Sequence, residues 1–221
     1  MPSSINADNG AVSGSAGVKT TADTSGVLAL QSNGTTGLTL NTDLSVVIVG
    51  SSSIQGLTVG RGAGAVSTNT VFGADSLGVN TSGAFNTAIG LNSLFSNTTG
   101  GSNSGDGVYS LYSNTTGSSN TAIGRSALET NTTGNFNTGV GRDSLFSNTT
   151  ASENTAVGYQ AAYSNTTGTR LLALGVGALY SNTTGNVNIA LGDRALRLNT
   201  TGGNNTAIGS YAMEKNTTGG Y

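Results

Sequence analysis

Cysteine and histidine are both absent from this chain. Without cysteine there is no disulfide framework, zinc–thiolate site or thiol nucleophile, and without histidine the commonest general base and metal ligand is missing. Charged residues make up only 8% of the sequence, against about 25% in ordinary soluble domains. The few carboxylates are scattered, with no pair at a working spacing. The sequence therefore predicts no catalytic, cofactor-binding or metal site, and a protein that is not an enzyme.

Long apolar runs and basic clusters are missing as well. No stretch approaches the roughly 20 apolar residues that span a bilayer, and the net charge is −2 with no basic patch. Residues 60 to 64 are glycine-rich but lack the Lys-Ser/Thr of a phosphate loop. Residues 1 to 20 have neither the basic start nor the apolar core of a secretory signal. We therefore expect no nucleic-acid partner and no membrane span.

What the chain has instead is a strict period of seventeen residues. An asparagine followed by Thr and then Thr or Ser, here called a turn asparagine, recurs at Asn80, Asn97, Asn114, Asn131, Asn148, Asn165, Asn182, Asn199 and Asn216. A second block, Asn-Thr-Ala-Ile-Gly in its fullest form, keeps the same register, and its glycine stands at Gly90, Gly107, Gly124, Gly141, Gly158, Gly175, Gly192 and Gly209. We interpret the glycines as sites of positive φ or backbone crowding, and the asparagines as turn residues that tolerate the left-handed region.

The length of the unit favours strands over helices. Seventeen residues with two turn signals leave runs of about five residues, which are too short for stable helices. The runs between the turns are rich in β-branched residues, which is typical of strands. The sequence therefore predicts an all-β fold, a parallel β-solenoid or β-roll of 17-residue coils over residues 63 to 221.

Two apolar rows follow the same period. We predict that both point inward: Ile89, Ile123, Val140, Val157, Leu174, Leu191 and Ile208 in one row, and Leu94, Leu111, Leu128, Leu145, Leu179, Leu196 and Met213 in the other. Adjacent residues of a strand face opposite sides, so the alanines that precede the first row predict a second buried surface against neighbouring chains. This predicts a homotrimer, intertwined or side by side, with a helical polymer as the alternative. Asp106 interrupts the first row, and a local bulge or a register adjustment that exposes the carboxylate is favoured there over a metal or catalytic site.

Residues 1 to 62 follow other rules. Alternating apolar residues flank an Asn-Gly pair at 33 and 34, which predicts a hairpin over residues 26 to 40. Residues 44 to 49 and 57 to 59 read as further strands. We interpret residues 1–62 as an N-terminal arm and a small β module that attaches the chain to other virion or surface-structure proteins.

Two repeating rows raise the question of sugars. Each turn asparagine lies in a glycosylation acceptor pattern, but a hydrogen-bonded asparagine ladder explains the period without any sugar and is favoured. An aromatic row two residues earlier holds Phe95, Tyr112, Phe146, Tyr163 and Tyr180. Such a row could stack on host surface glycans, but rings that cover the edge of the coil are the favoured interpretation.

The repeat block is similar to the Ser-Val-Ala-Ile-Gly block of trimeric autotransporter adhesin heads, over residues 63 to 221. Nearly the whole chain resembles tailed-phage fibre proteins, in which such units follow an N-terminal Ser-Gly-Val-Leu-Ala-Leu-Gln-Ser-Asn-Gly-Thr-Thr stretch of the kind found here. The resemblance implies a trimeric left-handed parallel β-roll and a structural tail fibre of a virion that presents or supports host-receptor binding. The period of 17 is longer than that of the adhesins, which leaves the coil shape open.

One alternative from another biological class remains. The chain could be a subunit of a bacterial surface adhesin or of a glycosylated extracellular filament, located at the cell surface. The absence of a secretory signal favours the virion, because phage proteins assemble in the cytoplasm.

Overall fold

The computed structural model describes the strands Val18–Ala22, Leu28–Ser32 and Ser52–Ile54 and residues 57 to 220. The chain divides into two units, Met1–Val47 and Ile48–Tyr221. In the first unit, β1 (Val18–Ala22) pairs antiparallel with β2 (Leu28–Ser32). β2 falls within the first half of the predicted hairpin; its second half and the predicted strand at 44–49 lie outside the described residues. The boundary expected at residue 62 falls inside the second unit.

The second unit contains an eleven-stranded sheet. Its strands are β3 (Ser52–Ile54), β4 (Leu57–Gly60), β5 (Thr70–Phe72), β6 (Thr87–Ile89), β7 (Ser104–Asp106), β8 (Thr121–Ile123), β9 (Thr138–Val140), β10 (Thr155–Val157), β11 (Leu172–Leu174), β12 (Ile189–Leu191) and β13 (Thr206–Ile208). From β5 to β13 each strand pairs in parallel with the next, in a register that advances by one seventeen-residue unit. The chain is therefore an all-β parallel solenoid of 17-residue coils, as the period predicts.

A hairpin covers the first edge of this parallel stack. β3 and β4 pair antiparallel, and β4 pairs antiparallel with β5. A 3-10 turn at Ala63–Ala65 follows, and the backbone N–H of Ala63 donates to the carbonyl of Leu77 at 3.0 Å. An open parallel edge presents a row of unpaired backbone groups. The hairpin satisfies that row at β5, as a capping unit does in other repeat proteins.

Hydrogen bonds join the coils outside the short strands as well. The N–H of Leu94 donates to Ser110 O in the following coil at 2.9 Å, and the N–H of Gly90 donates to Phe72 O in the preceding coil at 2.8 Å. At the turn, the N–H groups of Thr98, Thr99 and Gly100 all donate to the carbonyl of Thr115. Because the coil bonds to its neighbours on every side, a strand of three residues suffices to keep the register.

The core contains only one of the two apolar rows in the orientation we expected. The predicted leucine row is completely buried from Leu94 to Leu196, with Ala162 taking the leucine's place in one coil. The prediction was wrong for Met213, which is 44% exposed because no following coil of the structure packs against it. The prediction for the other row was wrong, because Ile123 and Ile89 are 43% and 38% exposed whereas the alanines before them are fully buried. The buried row consists of Val71, Ala88, Ala122, Ala156, Ala173, Ala190 and Ala207, with Gly105 and Gly139 in the remaining coils.

Space explains why alanine and not isoleucine faces inward. A Cβ atom built on Gly105 would lie 2.5 Å from Ser93 Oγ and 3.5 Å from Leu94 Cγ. The strand therefore packs so closely on the serine and leucine rows opposite it that even a methyl group at Gly105 would require the Ser93 hydroxyl to move. Larger side chains on alternate positions must point out of the coil. We expected the alanines to form a second apolar surface that faces neighbouring chains. In the structure the isoleucine row forms that outward apolar surface.

The left-handed backbone positions also differ from expectation. No turn asparagine among the described residues has a positive φ. Positive φ angles instead occur at three other positions of the coil. Asn92, Leu94 and Ser102, with φ of 56°, 52° and 58°, are examples. These residues turn their N–H groups alternately toward the preceding and the following coil: that of Asn92 donates to Ala74 O and that of Leu94 to Ser110 O. Bonding between coils therefore offsets a conformation that costs leucine about 1–2 kcal/mol.

The leucine row predicts a matched pair of stability effects. Leu128 is fully buried, whereas Leu198 is 38% exposed at a position where several coils carry serine. We expect Leu128→Ala to lower the free energy of unfolding by about 2–5 kcal/mol through lost burial and a cavity. We expect Leu198→Ala to lower it by less than about 1 kcal/mol. Thermal unfolding followed by circular dichroism measures both, and equal losses would contradict the assignment of the core.

Candidate functional site

The turn asparagines form a continuous amide ladder inside the coil. Each side-chain Nδ2 donates to Oδ1 of the turn asparagine one coil before, at 2.8–3.0 Å. The same nitrogen donates to the carbonyl three residues later, at 2.9–3.1 Å. From Asn97 to Asn199 the side chains are completely buried. Both amide hydrogens are therefore used, and the chain has no buried side-chain N or O atom without a partner among its described residues.

A second asparagine ladder precedes the strands, and the sequence analysis did not single it out. It consists of Asn69, Asn86, Asn103, Asn120, Asn137, Asn154, Asn188 and Asn205, with Leu171 in the remaining coil. Each Nδ2 crosses the coil to the carbonyl fourteen residues later, at 2.7–2.9 Å. Each Oδ1 accepts the backbone N–H seventeen residues later, at 2.9–3.1 Å. The signal was available in the sequence, because these asparagines open the repeated Asn-Thr-Ala-Ile-Gly block.

This geometry bears on the glycosylation hypothesis. Attachment of a sugar to a turn asparagine needs an accessible Nδ2, and in the folded coil that atom is buried and donates two hydrogen bonds. Asn216, in the last coil, is the only turn asparagine that is not classed as buried. The second hydroxyl residue of each turn is exposed, as at Thr116 and Thr133. The amide ladder therefore accounts for the asparagine period by itself.

The repeat glycines lie where two coils approach each other closely. From Gly90 to Gly209 their φ angles range from +117° to +145°. A Cβ atom on Gly158 would lie 2.5 Å from the carbonyl oxygen of Gly175 and 2.7 Å from its carbon. Any side chain at this position would therefore meet the backbone of the next coil in addition to the strain of the positive φ.

The aromatic row forms stacked columns. Phe146, Tyr163 and Tyr180 follow one another with ring centroids 5.1 and 5.2 Å apart and nearly parallel planes, and the guanidinium of Arg197 covers the next face of Tyr180 at 5.7 Å. Phe95 and Tyr112 form a shorter column with a spacing of 5.5 Å. The rings are half-buried, and their faces contact one another, which leaves mainly their edges to solvent. A sugar that stacks on an aromatic face would therefore find most of these faces occupied.

One titrating group in this column has a shifted pKa. Partial burial, followed by the neighbouring Tyr180 and the carboxylates of Asp143 and Glu129, raises the pKa of Tyr163 above its usual value. The phenol therefore stays protonated at neutral pH. Because the unfolded chain loses this proton first, the contribution of Tyr163 to stability is present below its ordinary pKa of about 10 and falls as the pH rises beyond it.

The outward face of the parallel sheet leaves a row of apolar side chains exposed. Its central row is the isoleucine row defined above, extended by Phe72 and Asp106; a flanking row two residues later includes Leu91, Val108, Tyr159 and Val176. Soluble proteins rarely leave long contiguous apolar patches in water. This outer face is therefore the candidate interaction surface of the chain.

The described residues contain no cluster of three or more His, Cys, Asp or Glu side chains that could hold a metal ion. Within the same part of the chain, no helix has the length and apolarity needed to cross a membrane. Comparison with protein-family models, curated proteins and solved structures gives no significant match for this chain.

Proposed function

We propose that this chain is a structural fibre protein, the non-enzymatic shaft of a phage tail fibre, which supports host-receptor binding from the virion. The observation that carries the proposal is the uninterrupted stack from β5 to β13, in which strands, turns and two amide ladders all bond from coil to coil. Such a stack resists bending and extension because each coil is fixed to both neighbours along its whole perimeter. A rigid spacer is the task that this arrangement suits best.

The proposed shaft is a homotrimer that associates through the outer face. The row from Ile123 to Ile208 offers apolar side chains at one height after another, and burial of such a row against other copies would stabilise the assembly by about 25 cal/mol per Å² of apolar area. Closed rotational symmetry is the usual arrangement for a homo-oligomer. Residues 1–62 would then attach the shaft to other virion proteins, as the resemblance to phage fibres implies.

A subunit of a bacterial surface adhesin or extracellular filament is the alternative. The exposed second threonine of each turn, for example Thr116, offers hydroxyl groups at regular intervals that a glycosylated filament could use. Intact-protein mass separates the two: a mass above that of the sequence, with sugar on threonine, would favour the filament.

Light scattering of the purified chain tests the trimer. We expect a mass three times the 21.7 kDa of one chain, and short uniform rods in negative-stain images. A monomer at micromolar concentration would contradict the homotrimer, and an open-ended polymer would favour the filament. The parallel solenoid itself would survive either result.

A further inference from the structure

Asp106 and Arg125 lie on the outer face and form no ion pair among the described residues. Asp106 ends β7 in the row otherwise held by isoleucine, valine, leucine and phenylalanine, and Arg125 follows β8 in the flanking row, one coil later. Both are exposed. The ion pairs of residues 57 to 220 involve neither of them; they join Arg142 to Asp143, Arg170 to Glu153 and Arg197 to Glu214.

Threefold symmetry would bring the Asp106 carboxylates of the three chains together, which is unfavourable. In a parallel threefold assembly, residues of the same coil lie at the same height around the axis, so three Asp106 carboxylates approach one another. Their strand partners on either side are Ile89 and Ile123, which would be buried by the same contact. Uncompensated burial costs several kcal/mol for each charge. The assembly therefore needs a positive group at this height.

Arg125 can supply it. Its backbone lies one coil beyond Asp106, and adjacent strands are about 4.8 Å apart. The arginine side chain is long enough to span this step, and its guanidinium fork matches a carboxylate. Three arginines would then balance three carboxylates in a ring around the axis.

The regularity of the repeat suggests that such a ring would fix the alignment between chains. Because most coils carry an aliphatic side chain at the same position of the outer face, two chains that slip by one coil still match one aliphatic side chain to another. Apolar contact alone therefore specifies the register of the chains weakly. A slip would bury Asp106 against an apolar row away from Arg125, and a single buried polar position is known to fix register in coiled coils by this kind of penalty.

We infer that Asp106 of each copy pairs with Arg125 of a neighbouring copy, and that this ring of charges sets the register in which the chains of the shaft associate. The inference rests on the proposed homotrimer and adds to it the contact that decides its alignment.

A double-mutant cycle on the full chain tests the ring. The variants are Asp106→Ile, Arg125→Ala and the combination of both, with Arg142→Ala as the matched control because Arg142 occupies the same position one coil later and pairs with Asp143 at 3.2 Å. We expect Arg125→Ala to raise the midpoint concentration of trimer dissociation at least tenfold and Arg142→Ala to leave it within twofold. Asp106→Ile alone leaves Arg125 without its partner and should also raise the midpoint concentration, whereas the double variant should dissociate at or below the wild-type concentration, since removal of both charges leaves none unpaired.

The outcomes separate the two proposals. A wild-type trimer in which Arg125→Ala behaves like Arg142→Ala, or in which the effects of Asp106→Ile and Arg125→Ala simply add, overturns the ring and leaves the homotrimer intact. A wild-type chain that stays monomeric overturns both. Circular dichroism of each variant confirms that the coil itself is folded.

Discussion

Asn131→Asp will be among the most destabilising single substitutions in this chain at neutral pH. The Nδ2 of Asn131 donates to Asn114 Oδ1 at 2.8 Å and to Gly134 O at 3.1 Å, in a fully buried position. An aspartate would place an oxygen where that nitrogen stands, so two acceptors would face a buried carboxylate. We expect a loss of about 3–5 kcal/mol in the free energy of unfolding, measured from thermal unfolding at pH 7.

The loss will depend on pH in a defined direction. Burial raises the pKa of the carboxyl in N131D above the unfolded value of about 3.9. The penalty is therefore complete above the folded pKa, decreases as the pH falls through it, and recovers no further below the unfolded pKa. At low pH the protonated group donates one hydrogen bond in place of two, so the stability of N131D should approach, but not reach, that of the wild type at the same pH.

Asn216→Asp is the matched control. Asn216 makes the same two donated bonds, to Asn199 Oδ1 and Gly219 O, but it lies half-buried in the last coil. Water can reach a carboxylate there, so we expect a loss below about 1.5 kcal/mol and little pH dependence. Equal losses for the two variants would mean that the buried amide ladder does not stabilise the stack.

Gly158→Ala will also destabilise the stack strongly. Its φ of +137° is closed to residues with a Cβ atom at a cost of about 1–3 kcal/mol, and the added carbon would lie 2.5 Å from Gly175 O. Separation of the two coils to relieve this contact stretches the bonds between them, at about 1–3 kcal/mol more. We expect a total loss of roughly 2–6 kcal/mol in thermal or urea unfolding.

Substitutions at two other glycines distinguish the cost of the backbone conformation from the cost of crowding by the next coil. At Gly209 the φ is +119° but nothing lies within 4 Å of a Cβ atom, so Gly209→Ala should show the strain alone. At Gly177 the φ is +61°, and the adjacent coils carry Gln160 and Arg194 at the same position with similar angles. Gly177→Ala should therefore cost only the left-handed backbone conformation, about 1–2 kcal/mol. A loss for Gly177→Ala as large as that for Gly158→Ala would contradict the role assigned to close approach.

The asparagine ladders explain how so small a coil can have a stable interior. One side of the coil is filled by the leucine and alanine rows, of which Leu128 and Ala122 are examples, and the other by amides that satisfy the turn carbonyls. An amide that bonds both to its own coil and to the next holds the turn and the stack together. This is why a chain with 8% charged residues and much Gly, Ser, Thr and Asn is folded, although its polar composition alone would be typical of disorder.

The sequence determined the period, the strand type and part of the core. The recurrence of Asn97, Gly107 and Leu111 every seventeen residues required that like residues stack on like, and short runs rich in β-branched residues favoured strands. The leucine row was predicted to be buried and is, except for Met213 in the last coil, which is 44% exposed. These inferences succeeded because they depend only on spacing and on local preferences of the backbone.

Only the tertiary structure decided which of two adjacent residues in a strand faces the core. Alternation states that Ala122 and Ile123 point to opposite sides, but it does not say which side is the core. That choice depends on the distance across the coil, which is set by a turn whose left-handed residues are Leu94 and Asn92 and not the turn asparagines. In most coils the turn brings the opposite wall so close that there is room for a methyl group only, with Val71 of the first coil as the exception. Alanine is therefore enclosed and isoleucine is left on the outside, because the width of a coil is a property of its closed path and not of any residue along it.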